Sequence, residues 1–345
     1  MIQSRHFRKC SRTPITLLLI AISGWVMYNR WGRLHTDLSN GWTVNVIVAA
    51  TKEGNNYDWA YKLPLPNMQV MPFVADDLTA TYHAPANKGH EAMAYLTYID
   101  QFYDALPDIS IFVHDADNAW HNDVILESTA TYALTHLDLD AVAERGYLNL
   151  RVDWGGGCPA WINTSVTLDS PEYTKFKSEE VYLSPFLKEI FPNDPVPEIF
   201  GSQCCSQFAV TREAIRSRPK EDYRTQIDWI LNTDLEDSVS GRVFEHMWPY
   251  LFMGKPVDCI AEFKALCMNY HICFETQDDL DLWNAAHATL EAGHKQYAAD
   301  KEVGFINDKL DHEMVTLEPM VKRWKEEAIE RGRSSWYRWK IAGNI

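Results

Sequence analysis

Residues 201–252 read GSQCCSQFAVTREAIRSRPKEDYRTQIDWILNTDLEDSVSGRVFEHMWPYLF, and we infer that the rest of the chain is arranged around them. The vicinal cysteines Cys204 and Cys205 precede a short apolar run that is typical of a buried strand, and a capped helix follows it. An acidic turn then leads into a second helix, which Pro249 should break or kink just after Trp248. The start of this second helix is rich in polar groups, namely Glu236, Asp237, Ser238, Ser240, Arg242 and Glu245. Because a soluble helix has no structural need for so many of them, this stretch is the first candidate for a functional site.

The apolar runs elsewhere in the chain predict an α/β fold. Val44–Ala50 is a continuous run rich in β-branched residues, as expected for a strand buried on both faces. Further strands are predicted at Met68–Val74, Asp108–His114 and Tyr147–Val152, and a helix follows residues 87–89. Because strands alternate with helices, we expect a mostly parallel, Rossmann-like sheet flanked by helices.

Polar side chains cluster at the ends of three of the predicted strands. They are Asp76 with Asp77, His114 to Asp117, and Arg151 with Asp153. Ligands of parallel α/β sheets bind at the carboxyl ends of the strands, so these clusters are expected at one edge of the sheet.

The charge of the chain is uneven along its length. The 345 residues carry a formal charge of −16, which argues against a protein that is wrapped broadly in nucleic acid. Residues 1–12 and 321–340 contribute +4 each, which leaves −24 for the body between them. This body should suit metal ions or a cationic substrate.

The N-terminal residues predict a membrane anchor. The apolar run 13–28 follows a basic head and ends in Trp25 and Tyr28, where interfacial anchors belong. The positive-inside rule weakly places the N-terminus in the cytosol and the body in a lumen, although a cleaved signal peptide is an alternative. Asn163 begins a glycosylation sequon, which is meaningful only for a luminal body. The predicted domains are a basic head (1–12), a transmembrane signal anchor (13–28), a stem (29–41), a catalytic α/β domain (42–274) and a helical, charged C-terminal extension (275–345).

Two clusters after the third predicted strand have both functional and structural interpretations. Asp115 and Asp117 are spaced to hold a divalent metal that bridges the phosphates of a nucleotide donor, or they form a solvated acidic turn. His114 and His121 lie on either side of Trp120, and one of them is a base or ligand unless both serve loop packing.

The polar groups of residues 236–245 also have two interpretations. Arg242 and Glu245 are neighbours on the predicted helix, and Glu236 and Asp237 precede them. Together they could bind a guanidinium or ammonium group or supply a general base. The structural alternative is an acidic helix cap beside a surface ion pair.

The cysteines and the C-terminal tail give weaker signals. We expect the vicinal cysteines to form disulfides with distant partners such as Cys158 or Cys259, rather than to act as nucleophiles. Cys267 and Cys273 are interpreted as a disulfide or core residues. The tail RGRSSWYRWK interleaves arginine with aromatic residues, which favours a membrane surface or a solvated tail over single-stranded nucleic acid.

Several motifs resemble the largely fungal family DUF3431, a domain of unknown function, over residues 42–274. They are NKGHEAMAYLTYI (87–99), LPDISIFVH (106–114), AWHND (119–123), GYLNLR (146–151), GCPAW (157–161), CCSQFAVTREAIRSRP (204–219) and DSVSGRVFEHMW (237–248). The resemblance implies a fold distantly similar to A-type glycosyltransferases. It also implies an activity, since some members are identified as arginine-containing cyclodipeptide synthases that take aminoacyl groups from charged tRNA.

The resemblance implies a polar site at eight positions, which are His114, His121, Asp123, Arg151, Glu236, Asp237, Arg242 and Glu245. This chain departs from the family pattern in two places. The family often has aspartate where Glu236 stands, and a His/Gly-type sequence where Asp115-Ala-Asp117 stands. The resemblance therefore does not support the metal interpretation of the two aspartates.

From the resemblance, the expected function is an arginine-containing cyclodipeptide synthase of fungal secondary metabolism. Such an enzyme condenses and cyclises two activated aminoacyl esters, so it needs positioning and a base but no cofactor. Its partners would be arginyl-tRNA and a second aminoacyl-tRNA. The expected catalytic residues are Glu236, Asp237, Glu245 and His121, and the expected substrate-binding residues are Arg242, His114, Asp123 and Arg151.

The alternative is a membrane-anchored glycosyltransferase-like enzyme that uses a nucleotide-sugar donor. Asp115 and Asp117 would then hold Mn or Mg, and Glu245 or Asp237 would be the base. The anchor, the sequon and the cysteines favour this alternative. A third interpretation is a luminal binding or scaffold protein without catalytic activity.

Overall fold

A six-stranded sheet forms the centre of the computed structural model, which describes residues 41–54, 56–65, 67–305 and 307–343. From one edge to the other, its strands are β3 (Tyr82–His83), β2 (Met68–Val74), β1 (Val44–Ala50), β4 (Ile109–His114), β8 (Phe208–Thr211) and β5 (Tyr147–Asn149). The strands β1 to β4 are parallel, whereas β8 is antiparallel to both of its neighbours. The expectation of a mostly parallel sheet is therefore confirmed.

The central strands are apolar on both faces because both faces are covered. Successive side chains of a strand point to opposite faces. In β1, Ile47 joins a cluster with Phe73 and Phe112 on one face. Val46 and Val48 join a second cluster on the other face. This double burial explains the continuous apolar run of β1.

One strand differs from its predicted length. The strand expected at Tyr147–Val152 ends at Asn149. Beyond it, the buried carboxylate of Asp123 accepts the backbone N–H groups of Val152 and Asp153, at 2.7 and 3.3 Å. A side chain thus takes the place of a neighbouring strand as the hydrogen-bond acceptor.

The helices on the sheet face that carries Ile47 include the helices of residues 201–252. In chain order they are α1 (His90–Phe102), α4 (Glu180–Ile190), α5 (Arg212–Ile215), α6 (Lys220–Asn232), α7 (Asp237–Glu245) and α8 (Trp248–Met253). The helix α7 ends before Pro249, which lies in the first turn of α8. An interruption was predicted just after Trp248, but it lies earlier, at residues 246–247, and Trp248 already belongs to α8. A small sheet of β6 (Ile162–Asn163), β7 (Ile199–Ser202) and β9 (Val257–Asp258) borders these helices and was not predicted.

The opposite face is covered by five of the remaining helices. They are α2 (Ala130–His136), α3 (Leu139–Arg145), α9 (Glu262–Tyr270), α10 (Gln277–Glu302) and α11 (Asp308–Gly332). The last helix, α12 (Ser335–Ala342), instead packs through Ile341 against Cys267 and Cys273. Trp283 of α10 lies in the same cluster as Val46 and donates a hydrogen bond to the carbonyl of Val321 in α11. Short 3-10 turns occur at Ala60–Lys62, Tyr103–Ala105, Val124–Leu126 and Lys175–Lys177.

The predicted basic head, signal anchor and stem lie outside the described residues, apart from Gly41. In the described part of the chain, none of the helices has the length and apolar character needed to cross a membrane.

Six cysteines form disulfides in the described residues. The bonds join Cys158 to Cys259, Cys204 to Cys205, and Cys267 to Cys273. The expectation that the vicinal cysteines pair with distant partners is wrong, because Cys204 and Cys205 bond to each other. The expected partners, Cys158 and Cys259, also form a bond with each other.

Candidate functional site

A cavity of about 760 Å³ lies at the carboxyl end of β4. Its floor comes from β4 and the vicinal disulfide, and its walls come from α1, α7 and the loops after β5. Five of the predicted site residues line it, and they are His114, His121, Arg151, Arg242 and Glu245. The structure thus brings together side chains that lie up to 131 positions apart in the sequence.

A smaller cavity of about 320 Å³ adjoins the first one. It opens at the ends of β1 and β2, where Thr51 and Ala75 lie, and Asp115 contributes to its wall. Four residues line both cavities, and they are His90, Glu91, His114 and His121. Two compartments with a shared wall can hold two substrates side by side.

The shared wall contains a hydrogen-bonded histidine pair. Nδ1 of His114 lies 2.7 Å from Nε2 of His121, and the rings are nearly perpendicular. Burial lowers the pKa of each histidine to about 4. Both rings are therefore neutral at neutral pH, and one donates its N–H to the other.

Glu245 lies at the end of α7 with its carboxylate against the vicinal disulfide. Its Oε1 accepts the backbone N–H of Cys205 at 2.6 Å. Burial raises the pKa of Glu245, and the negative charges of Glu91 and Glu179 raise it further. A carboxylate with a raised pKa accepts a proton more readily at neutral pH, as a general base requires.

The guanidinium of Arg151 lies between the carboxylate of Asp153 and the vicinal disulfide. Nη2 donates to Asp153 at 2.8 Å, and Nη1 lies 3.1 and 3.3 Å from the sulfurs of Cys204 and Cys205. Asp123 lies behind Arg151 and outside the larger cavity. The structure thus gives Asp123 a supporting position, whereas Arg151 faces the cavity.

Glu236 and Asp237 lie outside both cavities. Glu236 is exposed just before α7, and Asp237 accepts the backbone N–H of Gly89 at 3.2 Å. This contact joins the start of α7 to the start of α1. Glu236 occupies the N-cap position of α7 without a side-chain capping hydrogen bond, and Asp237 is the first residue of the helix.

Asp115 and Asp117 do not form a metal centre in this arrangement. Asp117 Oδ1 accepts the N–H of Thr131 at 2.7 Å in the first turn of α2. Asp115 is half-buried, and burial raises its pKa. Among the described residues, the one converging group of three potential ligands is Cys204, Cys205 and Glu245, and its two sulfurs are bonded to each other. The residues present do not fit the expected Mn or Mg ion.

Several residues of the larger cavity were not predicted from the sequence, among them His90, Glu91 and Phe176. Glu91 lies in the motif NKGHEAMAYLTYI (87–99), whose spacing indicates only the apolar face of a helix. Trp161, Glu179 and His246 also line the cavity. Trp161 and Glu179 lie in a region that was expected to be largely irregular. Their convergence depends on tertiary contacts, which sequence spacing does not show.

Comparison with protein families gives one match. The family described as "Protein of unknown function (DUF3431)" matches residues 46–268. Searches of curated proteins and of solved structures found no match. The matched residues include every residue that lines the two cavities. The chain therefore belongs to the DUF3431 family.

Proposed function

We propose that the chain is a transferase that moves a sugar from a nucleotide-sugar donor to an acceptor. The observation that carries the proposal is the pair of adjoining cavities at the carboxyl edge of the sheet. The smaller cavity would hold the donor and the larger one the acceptor. The shared wall of His90, Glu91, His114 and His121 would then lie beside the reacting atoms.

The strand order supports a relation to A-type glycosyltransferases. The antiparallel strand β8 lies inside the sheet between two strands that run parallel to each other, β4 and β5. The antiparallel strand was not predicted, but the mostly parallel order of the other strands agrees with the fold that the resemblance implies. In such sheets the ligand lies beyond the carboxyl ends of the strands, which is the position of the smaller cavity.

The proposed chemistry uses groups of this chain alone. An acceptor hydroxyl attacks the anomeric carbon of the donor, the bond from that carbon to the phosphate oxygen breaks, and the hydroxyl proton passes to Glu245. The nucleoside diphosphate leaves with the bonding electrons. Arg151 and Arg242 line the larger cavity and would bind polar groups of the acceptor there.

The disulfides favour a luminal location for the proposed enzyme. Disulfides persist in oxidising compartments and are rare in the cytosol. Cys158 and Cys259 are bonded across a separation of 101 residues. A luminal body would agree with the proposed anchor at residues 13–28 and with glycosylation of Asn163.

The donor half of the proposal is tested with the full-length protein and a panel of nucleotide sugars. We expect slow release of nucleoside diphosphate from one of them, and a chelator should not abolish it. Glu245→Gln is the test variant for transfer to the acceptor, and Glu236→Gln, at an exposed position outside both cavities, is the matched control. Absence of both binding and hydrolysis across the panel would contradict the proposal.

A second candidate is the arginine-containing cyclodipeptide synthase. The observation in its favour is that Glu91, Glu179 and Glu245 all line the larger cavity. Carboxylates recognise the planar guanidinium of arginine through paired hydrogen bonds. The amine of one aminoacyl ester would attack the carbonyl of the other, its proton would pass to Glu245, and the first tRNA would leave. The free amine of the resulting dipeptidyl ester would then attack the remaining ester carbonyl, which closes the ring and releases the second tRNA.

This second candidate needs charged tRNA and hence a cytosolic body. Its test is mass spectrometry of metabolites from a fungal or yeast host that expresses the chain and receives labelled arginine. A labelled cyclic dipeptide that disappears in the Glu245→Gln variant would establish the synthase in place of the glycosyltransferase.

A further inference from the structure

The larger cavity contains a buried carboxylate–imidazole pair that the proposed chemistry does not use. Glu179 and His246 are each 3% exposed, and Glu179 Oε1 lies 3.7 Å from His246 Nε2. Both residues line the cavity. Glu179 immediately precedes α4, whereas His246 directly follows Glu245.

Each member of the pair has a buried polar atom without a partner. Among the described residues, Glu179 Oε2 and His246 Nδ1 make no hydrogen bond. The nearest cation to Glu179 Oε2 is Arg242, whose Nη1 lies 3.8 Å away on a half-exposed side chain. Buried polar groups are almost always satisfied, because leaving one unpaired costs about 1–3 kcal/mol. Two unpaired atoms on one cavity wall indicate a ligand that supplies the partners.

The ligand must donate hydrogen bonds to this pair. Burial raises the pKa of Glu179, but the neighbouring His246 and Arg242 outweigh burial and bring the pKa below its ordinary value. Glu179 is therefore ionised and only accepts hydrogen bonds. In the neutral tautomer of His246 whose Nε2–H points toward Glu179, Nδ1 is an acceptor as well. Two adjacent acceptors match two adjacent hydroxyl groups.

An aromatic surface lies beside the two acceptors. The Trp161 ring centroid is 6.4 Å from that of His246 and 6.1 Å from that of Phe176, and Phe176 is 75% exposed. A sugar ring offers an apolar face of C–H groups and an edge of hydroxyls. The combination of an indole, a carboxylate and an imidazole therefore fits a sugar ring better than a purely charged ligand.

We propose that Glu179, His246 and Trp161 form the binding subsite for a sugar ring of the acceptor, with two adjacent hydroxyls donating to Glu179 and His246. This inference rests on the proposed glycosyl transfer and names its acceptor as a sugar. Because Glu245 lines the same cavity, a ring in this subsite shares that cavity with the proposed base. Phe176 extends the aromatic surface toward solvent.

The test is isothermal titration calorimetry, which measures binding of methyl glycosides to the full-length protein. The ligands are the methyl glycosides of glucose, galactose, mannose and N-acetylglucosamine. At least one glycoside should bind, and Glu179→Gln should weaken its binding about 10-fold or more, because a hydrogen bond to a charged group is lost. Glu189→Gln is the matched control, since Glu189 is an exposed glutamate on the adjoining helix and lies outside the cavity. The control should bind as the wild type does.

A second variant guards against misfolding of Glu179→Gln. Trp161 is only partly buried, so Trp161→Ala should fold, and it too should weaken binding about 10-fold. Unchanged glycoside binding in both variants would overturn the subsite. If a nucleotide sugar binds but no glycoside does, the subsite is wrong while the transferase proposal stands. If no nucleotide sugar binds and arginine methyl ester does, both are wrong.

Discussion

At the scale of single residues, Glu245 is the group on which the proposed chemistry depends. Its carboxylate is fixed by the N–H of Cys205 and lies in the larger cavity with Glu91 and Glu179. The same carboxylate serves both candidate reactions, because each of them needs a base for an attacking hydroxyl or amine.

We expect Glu245→Gln to lower the turnover number about 10²- to 10⁴-fold, because the variant retains the shape of the side chain but cannot accept the proton. The measurement is the initial rate of product formation, with thermal unfolding as a check on folding. Glu236→Gln should leave the rate within about twofold of the wild type, since Glu236 is exposed outside the cavities. Equal losses in the two variants would contradict this assignment.

Asp123 gives a prediction about pH. Burial raises its pKa from 3.8 to about 6, so the folded protein binds this proton more tightly than the unfolded chain does. Between these two pKa values the unfolded state holds fewer protons, and stability falls as the pH rises. The difference corresponds to about 3 kcal/mol at neutral pH.

The measurement is the unfolding free energy of the wild type and of Asp123→Asn at pH 7 and at pH 4. The wild type should gain about 2–3 kcal/mol relative to the variant on going to pH 4, because only the wild type has a carboxyl that takes up the proton. The comparison cancels the histidines, which both proteins share. A relative loss at pH 4 would show that burial is not the main influence on Asp123.

Residues near strand ends could be identified from the sequence, and residues that meet only through packing could not. His114 follows an apolar strand directly, so its place at the sheet edge could be predicted. Glu179 and His246 lie 67 positions apart and become neighbours only when α4 packs against α7. Asp237 lies in the same polar cluster as Glu245, but its side chain contacts Gly89 instead of the cavity.

At the scale of elements, the start of α1 packs closely against α6. Gly89 has φ +71° and a Cβ there would lie 2.6 Å from Cγ2 of Ile230 in α6. His90 and Glu91, which line both cavities, follow it directly. The close approach of α6 thus fixes two residues of the shared wall.

We expect Gly89→Ala to destabilise the fold by about 2–4 kcal/mol, from the positive φ and from overpacking against Ile230. Gly254→Ala is the control, because Gly254 has φ +68° but a Cβ added there would meet no atom within 4 Å. The control should cost about 1 kcal/mol. Chemical denaturation measures both, and equal losses would show that contact with Ile230 contributes nothing.

The strands were predictable to different degrees. Burial on both faces gives β1 and β4 continuous apolar runs, so their presence follows from the sequence. The run of β8 is also apolar, but an apolar run does not indicate whether the strand is parallel or antiparallel to its neighbours. Its antiparallel orientation depends on the route of the chain between β7 and β8, and this was not predicted.

At the scale of the whole molecule, the bond between Cys158 and Cys259 joins the loop after β5 to the strand end at β9. It closes a loop that contains β7, β8 and all of α4 to α8. Covalent closure of a long loop restricts the unfolded chain more than closure of a short one.

We therefore expect the double substitution Cys158→Ser with Cys259→Ser to lower the unfolding free energy by about 2–5 kcal/mol. The matched pair, Cys267→Ser with Cys273→Ser, should cost less in loop entropy, since its separation is 6 residues against 101. Chemical denaturation of the two variants under oxidising conditions gives the comparison. A larger loss for the short loop would contradict this account.

The central claim is that the two cavities hold a donor and an acceptor for glycosyl transfer. Its most direct test is mass spectrometry of the products formed when the full-length protein is incubated with a mixture of nucleotide sugars and methyl glycosides. We expect a glycoside extended by one sugar, formed by the wild type and absent with Glu245→Gln. No extended glycoside, together with a labelled cyclic dipeptide from expressing cells fed labelled arginine, would contradict it.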